Sequence, residues 1–119
     1  MNSKQGKQEF SIDTNKQGEA HVVTIRGSLA DESNLLAKES FLKLLDEKPN
    51  RIVVDLEATE YISSSGIGLL VSVLRRCRQR GISMPVCHLK PELLDLFRLT
   101  RLNQVFEIFD DLASALQRK

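Results

Sequence analysis

A chain of 119 residues is long enough to bury a core without staples, and 41% apolar with 28% charged residues is a globular balance that excludes disordered and collagen-like classes. Its 17 basic and 16 acidic side chains leave a formal charge of +1, and aromatics make up 5% with no Trp, so neither a cationic footprint nor a stacking surface for nucleic acid is supplied. No apolar run approaches membrane-spanning length, and the polar, lysine-bearing start is unlike a secretory signal, so a cytoplasmic protein without membrane insertion is expected.

Residues 1–8 read as a flexible N-terminal tail and residues 9–119 as one domain. Phe10–Ile12 alternates and His21–Arg26 is β-branched up to Gly27, with a turn over Asn15–Glu19 between them, which predicts a hairpin. From Glu32 the period becomes helical. Leu35, Leu42 and Leu45 form one stripe, widened by Leu36, Phe41 and Leu44, while Lys38, Glu39 and Lys43 face away. Asp31 or Ser33 is placed to cap this helix, and Pro49 closes the region behind it. Ile52–Leu56 is short and mostly apolar, as a central strand buried on both faces requires.

A short polar turn then delivers Tyr61-Ile62-Ser63-Ser64-Ser65-Gly66-Ile67-Gly68 to a helical pattern of Ile67, Leu70, Val71, Leu74 and Cys77. Arg75, Arg76, Arg78 and Arg80 suit the helix C-terminus electrostatically, and Gly81 is its stop. Leu69 and Val73 lie off the main stripe: either they sit partly exposed beside the serines, or a broad sheet buries them too. Ser83–Leu89 predicts a strand, and Pro91 opens a helix carrying Leu93, Leu94, Leu96 and Phe97. Val105–Phe109 alternates as a strand, and Asp111–Leu116 forms a closing helix. The order implies an α/β fold: a mixed, mostly parallel sheet with an N-terminal hairpin and about four α-helices.

Little of this looks like catalysis. Ser65 sits on a strand-to-helix turn, but Ser63 and Ile67 stand where a nucleophile elbow has glycines, and neither His21 nor His88 is placed to serve as base. Gly66-Ile67-Gly68 lacks the third glycine of a dinucleotide fingerprint, Val71 taking its place. The acidic pairs Asp31-Glu32, Asp46-Glu47 and Asp110-Asp111 all fall at element boundaries, where capping and solubility account for them. Cys77 and Cys87 have no second Cys or His at metal-finger spacing, although His88 follows Cys87, so reduced buried thiols and no metal site are expected. What remains is a regulated binding surface. A serine at a helix start can cap it, and a phosphate added there meets the helix end that best accepts negative charge.

These residues carry a resemblance to the anti-sigma factor antagonists of the STAS domain family, from about Phe10 to Leu116. The family's Gly-x-Leu-Asp loop is matched by Gly27-Ser28-Leu29-Ala30-Asp31, its strand ending Asp-Leu by Val54-Asp55-Leu56, and its late segment by Leu102–Phe106. Its hallmark, aromatic-hydrophobic-Asp-Ser-Ser/Thr-Gly-hydrophobic-Gly, is matched by Tyr61–Gly68. The resemblance implies a single STAS domain that is no enzyme and holds no cofactor. Unmodified, it would sequester an anti-sigma factor that is also a serine kinase of the histidine-kinase-like ATPase type. That kinase would release itself by phosphorylating Ser65, and a metal-dependent serine phosphatase would restore binding; ATP and metal belong to those partners. The implied contact face takes Ser28, Leu29 and Asp31 from the loop and Ser63, Ser64, Gly66, Ile67, Gly68 and Leu69 around the acceptor. On residue type alone Ser65 reads first as a helix cap, the motif context turns that reading toward the acceptor, and Ser63 and Ser64 share both readings. The chain departs from the family in having Ser63 and Ala30 where acids stand, which bears on kinase docking and partner identity rather than on fold. Other readings are an unphosphorylated STAS scaffold in a transport assembly, or a ligand-sensing module.

Overall fold

A computed structural model describes residues 9–117; the tail expected over 1–8 lies outside the described residues. Two strands, β1 (Ser11–Gln17) and β2 (Ala20–Leu29), form the expected antiparallel hairpin, with Gln17 paired to Ala20. The turn is tighter than the polar stretch implied, because Gly18 at φ 64 takes a left-handed conformation open to glycine.

The first half of β2 pairs in parallel with β3 (Arg51–Asp55), and β3 pairs in parallel with β5 (Val86–Cys87), which pairs with β6 (Ile108–Phe109). The last three residues of β2 pair instead with β4 (Thr59–Ile62). The register shifts between Gly27 and Ser28, leaving Glu60 of β4 as the extra residue, and Gly27 at a φ of 83 lies where the end of β2 passes from one partner to the other. This mixed, mostly parallel six-stranded sheet agrees with the architecture expected.

Both faces of the sheet are covered, which explains the unbroken apolar run in β3. Ile52 and Val54 face a large core with Val23, Ile25, Phe41, Leu70, Leu74 and Phe97. Val53 points the other way with Val22 and Cys87, under Ala115 of α4 (Leu112–Gln117). The larger core is roofed by α1 (Glu32–Asp46), α2 (Ser64–Gln79) and α3 (Pro91–Leu99).

Several expectations need correction, among them the Ser83–Leu89 strand, of which only Val86–Cys87 forms a strand. In α1 the buried stripe is Ser33, Ala37, Phe41, Leu44 and Leu45, while Leu35 and Leu36 are 61% and 53% exposed. Strand β4 was hidden because its two middle residues are exposed and its key anchor is polar: buried Thr59 donates its hydroxyl to Ile25 O at 2.6 Å. Conversely, only Ile108 and Phe109 of the alternating Val105–Phe109 run are strand, because a 3-10 turn over Leu102–Gln104 tucks Leu102 and Phe106 into the core.

Candidate functional site

The site forms where β4 hands over to α2. Ser63 N–H donates to Leu29 O at 3.0 Å, continuing the β2–β4 ladder by one residue. The chain then turns. Ser63 is the N-cap, extended at φ −76 and ψ 170, and its Oγ accepts the Gly66 N–H at 3.0 Å. Capping is therefore the task of Ser63, where the family has an acid, and neither Ser64 nor Ser65 performs it.

Ser65 is exposed on the first turn of α2. Its Oγ lies 2.9 Å from Ser63 Oγ and accepts from Asn34 Nδ2 at 2.7 Å. Asn34 belongs to the first turn of α1, so this hydroxyl bridges two helix starts. The other side-chain atom of Asn34, Oδ1, is buried with no partner among the described residues. No sequence signal marked Asn34, because its partner lies 31 positions away.

The loop entering α1 is held from inside. Ser33 Oγ accepts the Ala30 N–H at 2.8 Å and donates toward Ser28 O and Ala30 O, both at 2.8 Å. Ser33 thus braces the loop, while Asp31 occupies the N-cap position with no side-chain cap bond. Asp31 has a φ of 53 and ψ of −118, a left-handed setting that favours glycine.

Among the expected contact residues, Asp31, Ser64 and Gly68 are exposed, and Ser28, Ser63, Ile67 and Leu69 are half-buried around Ser65. Leu29 and Gly66 are buried and offer no side-chain surface. They shape the site from beneath: a Cβ on Gly66 would stand 2.5 Å from Leu29 O and 2.9 Å from Ile62 Cγ2. Val73 is buried as well, so the broad-sheet alternative holds for it.

Groups suited to general base chemistry are engaged elsewhere. His21 Nε2 faces Glu47 at 3.4 Å and His88 Nδ1 faces Asp55 at 3.0 Å. Both cysteines are free and buried. Burial pushes the Cys77 thiol up to about 11, and burial with neighbouring carboxylates pushes Cys87 up to about 12, so both are protonated at neutral pH. At the far end, Arg78 donates to Val105 O at 2.7 Å and remains exposed, in keeping with a solvated helix terminus. Among the described residues no helix is long and apolar enough to cross a membrane.

A family profile described as the STAS domain matches residues 11–115. The chain is similar, at 30% identity over 64 residues, to the candidate anti-sigma factor antagonist BtrV of Bordetella bronchiseptica; the match spans 54% of this chain and 55% of that protein, about half its length. The crystal structure of an anti-sigma factor antagonist from Mycobacterium paratuberculosis superposes with a TM-score of 0.79 at 19% identity, covering 91% of this chain and 92% of that one. The anti-sigma factor antagonist SpoIIAA in its unphosphorylated form superposes with a TM-score of 0.68 at 15% identity, covering 89% and 92%. At such identities the structural likeness establishes the fold.

Proposed function

The chain belongs to the STAS domain family, and on that premise we propose that it is an anti-sigma factor antagonist whose binding is gated by phosphorylation of Ser65. Unmodified, it docks a cytoplasmic anti-sigma factor that is also a serine kinase, through the face around the β4–α2 turn. The partner's kinase centre transfers the γ-phosphoryl group of ATP to Ser65 Oγ, releasing ADP and the hydroxyl proton. A metal-dependent serine phosphatase hydrolyses the ester and restores the docking form. The chain itself contributes an acceptor and a surface, and the catalysis is the partners'.

The observation that carries this reading is the exposed Ser65 hydroxyl at the start of a long helix, relieved of capping by Ser63. A phosphoester there brings about −1.5 to −2 charges to the positive end of the macrodipole. The Asn34 amide, already 2.7 Å from the oxygen, is a ready donor to it. For the folded domain the added charge is tolerable; for a partner packed over the same spot, a dianion must be stripped of water. The names carried by its relatives support the antagonist role.

The test is incubation with the cognate kinase and ATP, read by intact mass and by kinase capture. The expected result is a gain of one phosphoryl group, retained in Ser64→Ala and absent in Ser65→Ala, with loss of kinase binding in the modified protein. A kinase that binds this chain but never modifies it would assign the domain to permanent docking. Modification that leaves binding intact would remove the gate.

A further inference from the structure

The C-terminal edge of the sheet carries a second group of side chains that the switch does not use. Asp55 ends β3 and Cys87 ends β5, and parallel pairing sets these two residues opposite each other. His88 follows at a φ of 62. Its Nδ1 lies 3.0 Å from Asp55 Oδ1 and 3.9 Å from both Cys87 Sγ and Glu57 Oε1. One ligand atom from each of Asp55, Cys87 and His88 falls within 4.8 Å of the other two. The Glu57 backbone N–H donates to Asp55 Oδ1 at 3.0 Å, which fixes the carboxylate.

We propose that Asp55, Cys87 and His88 bind a single zinc ion, with the Glu57 carboxylate taking the fourth position. Tetrahedral geometry with Zn–S of about 2.3 Å and Zn–N or Zn–O of about 2.1 Å requires S···N near 3.6 Å and N···O near 3.4 Å. The S···N separation of 3.9 Å is longer and the N···O separation of 3.0 Å shorter than its target by about 0.3–0.4 Å, so a small side-chain rotation admits the ion. A thiolate with an imidazole and carboxylates suits zinc and disfavours magnesium or calcium, which select all-oxygen sets. The partly exposed His88 and the exposed Glu57 give the ion a path in, and Cys87 closes the site from the core side. The Zn–S bond forms as the Cys87 proton leaves to solvent, and no electron transfer is involved. Local spacing alone does not reveal this site, because Asp55 stands 33 positions from His88 and only the sheet brings them together.

The full, reduced chain, stripped with a chelator, is titrated with Co2+ and then Zn2+. The expected result is one equivalent of cobalt bound, with tetrahedral d–d bands and a thiolate-to-cobalt charge-transfer band, all displaced by zinc. Cys87→Ser abolishes the charge-transfer band, Cys77→Ser leaves it unchanged, and His88→Gln and Asp55→Asn each weaken binding at least about tenfold. Should Cys87→Ser fail to fold, the partly exposed His88→Gln variant carries the test. A wild-type chain giving no charge-transfer band, a band that survives Cys87→Ser, or zinc affinity unchanged in His88→Gln overturns the site. None of these readouts depends on the kinase, so the metal site and the switch stand or fall separately.

Discussion

Three adjacent serines have three different environments, and the difference sets what each substitution does. Ser63 Oγ satisfies an otherwise orphaned N–H at the start of α2, whereas the bonds of Ser65 Oγ are made at the surface to side chains. Ser63→Ala should therefore cost about 1 kcal/mol of stability, as cap removal does. Ser65→Ala should stay within about 0.5 kcal/mol, as exposed substitutions do. Urea unfolding of the two variants checks the order, and the reverse order would make Ser65 the structural residue of the pair. The composition and spacing of Tyr61–Gly68 located this junction but left the roles of its serines open. The cap falls on Ser63 because Leu29 O takes the Ser63 N–H, and that pairing is a long-range register no local pattern encodes. Asn34 was illegible for the same reason.

Elements were legible where burial follows a period and obscure where a polar group or a neighbour decides. The start, the charged C-terminal end and the Gly81 stop of α2 all follow the sequence pattern, with Gly81 at φ 73. In α1 the five leucines and Phe41 suggest one wide apolar stripe, and the helix is rotated from it. The rotation adopted puts small Ser33 and Ala37 inward, leaving Leu35 and Leu36 in solvent next to Asn34. The two glycines of α2 differ just as sharply. Gly66 has no room for a Cβ against Leu29 O, while Gly68 has nothing within 4 Å. Gly66→Ala should cost about 1–3 kcal/mol through overpacking of backbone on backbone. Gly68→Ala should gain about 0.5–1 kcal/mol, because alanine restricts the unfolded chain and favours the helix. If Gly68 lies under a docked kinase, the same variant weakens capture while raising the melting temperature. Thermal unfolding and capture on one sample separate the two effects.

At the scale of the molecule, the switch and the core are built from different parts. Helix α2 is held chiefly by Leu70, Val73, Leu74 and Cys77 beyond its first turn, with Gly66 seated against Leu29 and Ile62 within it, while Ser65 is exposed and outside that packing. Charge added at Ser65 meets the first turns of α1 and α2 and the loop at Ala30–Asp31, while β5 and β6 lie on the other arm of the sheet. The folded state should therefore survive phosphorylation with its hydrogen-bonding frame intact, exchanging the Ser63–Ser65 contact for bonds from Asn34 to the phosphate at a net change of about 1 kcal/mol. Binding is a different matter: a hundredfold loss of affinity needs only about 2.7 kcal/mol, less than the penalty for burying an unpaired dianion under a partner. Backbone amide spectra of the two forms should differ at the starts of α1 and α2 and in the β4–α2 turn, with β6 and α3 unmoved. Shifts spread through β6 and α3 would mean that phosphate acts by rearranging the domain, and steric and electrostatic exclusion at the surface would no longer account for the gate.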